Sequence, residues 1–78
     1  MSEEICNTMR DAISAAIEGS QVHVEGGGGH FRIEVVSSVF EGKRSLAKQR
    51  LVLSAIAHLM KGDNAPVHAV DSIKTTTP

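Results

Sequence analysis

The stretch that decides the fold is residues 21–36, "QVHVEGGGGHFRIEVV", in which two alternating segments flank four glycines. Val22 and Val24 alternate with polar residues before the glycines, and every second residue from Phe31 to Val35 is apolar after them. Alternation with a period of two is typical of strands that bury one face. Because glycine supplies the positive φ angles of a tight turn, the stretch predicts a β-hairpin.

A phosphate-binding loop is the alternative interpretation of the glycines at 26–29. Such a loop leads from a strand into the N-terminus of a helix, whose amide groups hold the anion. Here a second strand follows the glycines, which argues against this alternative. We therefore expect the glycines to serve the hairpin, to be mobile and to contact little, without holding an anion.

Helical spacing of apolar residues is found on both sides of the hairpin. Before it, apolar residues recur at intervals of three and four over residues 5–17, and Gly19 is a suitable end signal. After it, a second helix is predicted over about 45–61, closed by Gly62. The predicted apolar face of this helix consists of Leu46, Val52, Leu53, Ile56, Leu59 and Met60.

A third strand is predicted in "VHAVDSIKT", residues 67–75, after a loop that ends at Pro66. The order is then helix, strand, strand, helix, strand, and a right-handed crossover through the second helix makes the third strand parallel to the second. Both helices cover one face of a three-stranded sheet. The predicted fold class is α+β, a two-layer sandwich that forms a single domain over residues 1–78.

Composition and charge exclude several functions. The net charge of −1 gives no overall attraction for nucleic acid or for an anionic membrane, and no apolar stretch is long enough to span one. Cys6 is the single cysteine, which fits a reducing compartment, and we expect it to be a small apolar residue that is buried or half-buried. Without a signal sequence or a catalytic set, the sequence predicts a cytoplasmic protein that is not an enzyme.

Four motifs, taken in order, resemble the BolA family and most closely its short IbaG-like branch. They are "HFRIEVVSSVFEGKR" at 30–44, "KQRLV" at 48–52, "VHAV" at 67–70 and "TTTP" at 75–78. Each motif alone is weak, but their shared order and spacing are specific. The resemblance implies a fold similar to type II KH domains, in agreement with the predicted order of helices and strands.

The resemblance implies a partner as well as a fold. BolA-like proteins join a monothiol glutaredoxin and glutathione around a shared [2Fe-2S] cluster, in iron–sulfur handling or in iron and stress signalling. The family-side ligand corresponds to His68, and no cluster is expected in the isolated protein. A second ligand usually comes from the first hairpin loop, which is short here. His30, which matches the family's "HF" motif, is therefore a candidate second ligand or an ordinary histidine at the end of a strand.

A cluster of basic residues follows the hairpin. Lys43, Arg44, Lys48 and Arg50 hold half of the eight basic residues within eight positions. They form either a solvated helix face or a contact for anionic groups. Those groups would be the acidic groups of glutaredoxin and glutathione or the phosphates of duplex DNA. Family members described as transcription regulators bind DNA through the helix-turn-helix-like region after the second strand, so DNA binding is the alternative function. Homodimer formation also remains open.

The third strand differs in length from the family pattern. One more residue separates "HA" from the "K-T-x-T-P" end in "HAVDSIKTTTP". With a side-chain period of two, this extra residue would put Val70 and Ile73 on opposite faces of the sheet. We therefore predict a β-bulge or a strand break near Asp71 and Ser72, which returns Ile73 to the core side.

Overall fold

A computed structural model describes residues 2–78 as two helices packed on a three-stranded sheet. The elements are α1 (Ser2–Ala16), β1 (Gln21–Gly27), β2 (His30–Val36), α2 (Ser45–Ile56) and β3 (Ala69–Thr76). Single turns of 3-10 helix follow β2 at Ser38–Phe40 and α2 at Ala57–Leu59. The predicted order of elements is confirmed. Within residues 2–78, none of the helices combines the length and apolar character needed to cross a membrane.

The sheet has the strand order β1-β2-β3, with β2 in the centre. β1 and β2 pair antiparallel, and their last pair is Gly27 with His30. The turn of the hairpin is therefore Gly28 and Gly29 alone, with φ angles of +63° and +83°, the signs of a type I′ turn. β2 and β3 are parallel, as predicted.

The core lies between the helices and one face of the sheet. Along β2 the side chains of Phe31, Ile33 and Val35 are buried, whereas Arg32 and Glu34 are exposed on the opposite face. This alternation places Phe31, Ile33 and Val35 beneath the helices, whereas half-buried Val36 lies on the opposite face. The two-layer sandwich is confirmed, and its buried apolar cluster consists of Met9, Ile13, Ile17, Phe31, Ile33, Val35, Phe40, Val52, Ile56 and Val67.

The second helix differs from its prediction in length and in two residues of the predicted apolar face, Leu46 and Leu53. Leu53 is half-buried but is not among the residues packed against the core. The α-helical part ends at Ile56, and one 3-10 turn replaces the last predicted turn. The predicted core position of Leu46 is wrong, because this side chain is 59% exposed. At 100° per residue, Leu46 lies about 120° around the helix axis from buried Val52. Leu51 packs against the core from a half-buried position instead.

The predicted bulge in β3 is confirmed. Phe31 of β2 pairs with Val70, but the next residue, Arg32, pairs with Ser72. Asp71 is thus the extra residue, and regular pairing resumes with Ile73. Since Val70 and Ile73 both pack against the core, the bulge keeps the apolar residues of β3 on one face.

Candidate functional site

His68 is fixed at the point where β3 begins beside the hairpin turn. The backbone N–H groups of His68 and Ala69 both donate to the carbonyl oxygen of Gly29, at 2.8 and 2.9 Å. The side chain of His68 is exposed. The turn therefore holds the backbone of this histidine in place while its imidazole remains accessible.

Gly29 also contacts the ring of His68. A Cβ atom added at Gly29 would lie 2.9 Å from Cγ of His68 and closer still to Cδ2, so a side chain there would overlap the imidazole. The expectation that the glycines contact little is thus wrong for Gly29, which is buried. It is also wrong for Gly26, where an added Cβ would lie 2.8 Å from Cα of Phe31. It holds for Gly28, where an added Cβ would meet nothing within 4 Å.

His30 lies at the same end of the sheet as His68. It is the first residue of β2, and its lateral neighbour on β3 is Ala69, which directly follows His68. Nδ1 of His30 lies 3.2 Å from Oδ1 of Asp71, the bulged residue. The two side chains are 60% and 56% exposed, so the pair is open to solvent. The structure therefore places both predicted ligands near one turn.

The other candidate ligands lie apart from this end of the sheet or are accounted for elsewhere. His23 is on β1, where its Nε2 lies 3.6 Å from Oε2 of Glu25. Cys6 is half-buried against the core, as expected, with its Sγ 3.9 Å from the carbonyl oxygen of Gly26. No three His, Cys, Asp or Glu side chains in residues 2–78 are grouped so that they could hold a metal ion.

The basic residues are brought together only in part. Lys43, Arg44 and Arg50 line a groove of about 610 Å³ beside α2, whereas Lys48 lies outside it and is half-buried. Among the ion pairs within residues 2–78, none involves the three cations of this groove. The groove is also lined by Leu46, Ala47, Leu51 and Ser54. It combines positive charge with apolar surface.

Two residues of the site were not identified from the sequence. Gly29 could not be separated from its neighbours in "GGGG", because each glycine offers the same freedom of φ. Asp71 was placed in a bulge, but its contact with His30 depends on the register of β2 against β3. Register between strands that are far apart in sequence leaves no local signal.

Comparison with known proteins agrees with the motifs and with the fold. Residues 8–78 match the family described as BolA-like protein. The acid stress protein IbaG of Escherichia coli K12 is 35% identical over 72 residues, which cover 92% of this chain and 82% of that protein.

Solved structures of similar proteins also agree with this chain in sequence and in fold. A BolA homologue from Coxiella burnetii has a TM-score of 0.76 and 36% identity, covering 92% of this chain and 88% of the other. Yeast Fra2 has a TM-score of 0.70 and 31% identity, covering 92% of this chain and 77% of the other. Because motifs, order of elements and relatives agree over nearly the whole chain, this protein belongs to the BolA-like family.

Proposed function

We propose that this BolA-like protein is a binding partner of a monothiol glutaredoxin and shares a [2Fe-2S] cluster with it and with glutathione. The role is in iron–sulfur handling or in iron and stress signalling, and it is not enzymatic. The name of the similar E. coli protein, an acid stress protein, supports the link to stress. A cytoplasmic location suits the proposal, because glutathione keeps thiols reduced there.

The placement of His68 is the observation that carries this proposal. Its backbone is held by the carbonyl of Gly29, its ring packs on the α-carbon of the same glycine, and its side chain faces solvent. An imidazole fixed in this way loses little conformational entropy when it binds. It can therefore act as a ligand presented to a partner rather than as part of the core.

The available donor atoms fit a shared cluster. Imidazole nitrogen replaces cysteine on iron in some [2Fe-2S] centres, so His68 and His30 would hold the cluster from this side. Within residues 2–78, no group of three His, Cys, Asp or Glu side chains could hold a metal ion, so thiolates of glutaredoxin and glutathione would provide the remaining ligands. The cluster itself would supply iron and sulfide that can be sensed or passed on.

Replacement of His68 tests the proposal directly. The protein and its His68→Ala variant are each co-expressed with a monothiol glutaredoxin, and the visible absorption and circular dichroism of the purified complexes are compared. We expect an altered spectrum and faster cluster loss in the variant, with an unchanged fold, because an exposed side chain contributes little packing. His23→Ala is the matched control, since His23 is exposed on β1. Identical spectra and cluster lifetimes for the protein and His68→Ala would refute the assignment.

Duplex DNA remains a second candidate partner, for one reason. The groove beside α2 carries Lys43, Arg44 and Arg50 without partners among the ion pairs of the described residues. Such cations can contact phosphates. Against this, Leu46 and Leu51 give the groove an apolar part that suits a protein partner better. The dependence of binding on salt separates the two candidates.

A further inference from the structure

We infer that Asp71 is a positioning residue for His30 and makes it the second imidazole ligand that this chain offers to the cluster. In this arrangement Nδ1–H of His30 donates to the Asp71 carboxylate, and Nε2 keeps a free lone pair with which it would bind iron. The inference rests on the proposed function for the existence of the shared cluster. The hydrogen bond itself belongs to the isolated protein and can be tested there.

The contact between the two side chains determines which ring nitrogen carries the proton. Nδ1 of His30 and Oδ1 of Asp71 are 3.2 Å apart, a hydrogen-bond distance. An ionised carboxylate can only accept, so a neutral imidazole must hold its proton on Nδ1. Nε2 is then the free donor atom. Metal-binding histidines are commonly oriented by a carboxylate in this way.

The surrounding charges leave Asp71 available for His30. On the same face of the sheet, Arg32 is paired with Glu25, with its Nη2 3.0 Å from Oε1. Within residues 2–78 the single ion pair formed by Asp71 is the one with His30. No other ion pair of the described residues therefore competes with His30 for the Asp71 carboxylate.

The bulge explains how a carboxylate comes to lie beside this histidine. Asp71 is the additional residue between the pairs Phe31–Val70 and Arg32–Ser72. In a strand without the extra residue, Ser72 would directly follow Val70, and the position that Asp71 occupies beside His30 would not exist. The bulge adds an acidic side chain next to His30 and leaves the core face of β3 unchanged.

Gly29 brings the two proposed ligands to the same end of the sheet. Gly29 fixes His68 through its carbonyl and its α-carbon, and His30 is the next residue along the chain. A partner that approaches this end of the sheet meets an imidazole from β2 and another from the start of β3. Asp71 would then define the orientation of the first, as Gly29 defines that of the second.

The first experiment measures the tautomer of His30 in the isolated protein. Histidine 15N chemical shifts are recorded by NMR at a pH one unit or more above the reference pKa of histidine, which is about 6.5. We expect the Nδ1–H tautomer for His30. Asp71→Ala and Asp71→Lys, which cannot accept the hydrogen bond, should both shift His30 to the Nε2–H form that free imidazole prefers. Asp71→Asn keeps an acceptor oxygen and should largely restore the Nδ1–H form.

Controls show whether the effect is specific. Ser72→Ala changes the other residue of the bulge and should leave the tautomer of His30 unchanged, and His23 should not respond to any of these variants. A purely structural role for Asp71 would alter stability but not the tautomer. If His30 is already in the Nε2–H form, or if Asp71→Ala leaves its tautomer unchanged, the positioning role is overturned whatever happens in the glutaredoxin complex.

The second experiment measures cluster lifetime in the complex with a monothiol glutaredoxin. His30→Ala and Asp71→Ala should each shorten it, the latter by about tenfold, the lower end of the usual effect of removing such a carboxylate. Asp71→Asn should have a smaller effect. If His68→Ala shortens the lifetime but His30→Ala and Asp71→Ala do not, this inference fails and the proposed function stands. If none of them has an effect, the proposed function fails.

Discussion

Gly29 combines two roles that no other residue type could fulfil at this position. Its φ angle of +83° lies in the left-handed region, which costs other residues free energy. Its missing side chain also leaves room for the imidazole of His68. The neighbouring Gly28, with φ of +63°, has the same backbone requirement but open space around it. Substitutions at Gly28 and Gly29 therefore separate the cost of a positive φ angle from the cost of displacing the His68 ring.

Alanine substitutions at these two glycines should give different results. Gly28→Ala should lower the free energy of unfolding by about 1 kcal/mol, because of its positive φ angle. Gly29→Ala should lower it more, because the added Cβ must displace His68. Urea denaturation measures the stability, and the NMR signals of the His68 ring report its displacement. Equal stability losses, together with unchanged His68 signals in both variants, would contradict the proposed contact.

At the scale of the element, β3 shows how one residue can be added to a strand without disturbing the core. The bulge places Asp71 and Ser72 against Arg32, so that Val70 and Ile73 remain on the side of the helices. Without the bulge, every residue after Asp71 would change faces. The stability of the strand therefore depends on its register rather than on its length.

Deletion of Asp71 should be tolerated. The shortened strand can pair as a regular ladder with the same core residues, so we expect a change in the free energy of unfolding within about 0.5 kcal/mol. Deletion of His23 from the regularly paired strand β1 is the matched control, since Glu25 would then take the half-buried position of Val24. The control should lose at least about 1 kcal/mol. A greater loss for the Asp71 deletion than for the His23 deletion, in chemical denaturation, would show that the bulge itself supports the fold.

At the scale of the whole molecule, charge is unevenly distributed. Eight basic and nine acidic residues leave a net charge of −1, yet the groove beside α2 brings three cations together. The overall charge does not attract DNA, so binding to phosphates would depend on this local group. The radius of gyration of 11.8 Å is that of a compact chain of this length, which leaves the groove as a surface feature rather than a cleft between lobes.

The dependence of binding on salt distinguishes a DNA contact from a protein contact. If the three cations of the groove, Lys43, Arg44 and Arg50, each neutralised one phosphate, the affinity for duplex DNA would fall about fortyfold between about 50 and 200 mM salt. We expect instead that binding to glutaredoxin, measured by calorimetry, falls less than about tenfold, because apolar contacts are not screened. Arg50→Ala should weaken this complex, whereas Arg10→Ala on α1 should not. Tight DNA binding with the steep salt dependence would favour the second candidate.

The sequence by itself determined the order of elements, the hairpin, the central strand and the bulge. The first three follow from local patterns, namely helical spacing in α1, glycine in the turn and alternation in β2, whereas the bulge follows from one residue more in β3 than the family pattern has. The family motifs also gave His68 and His30 as candidate ligands. Such signals are readable because they depend on neighbours along the chain.

The tertiary structure decided which residues act together at the site. The roles of Gly29 beneath His68 and of Asp71 beside His30 arise from contacts across β2 and β3, and His30 and Asp71 are 41 positions apart in sequence. The exposure of Leu46 likewise depends on how α2 is rotated against the sheet. Strand register and helix rotation are set by packing of the whole core, so no local pattern specifies them.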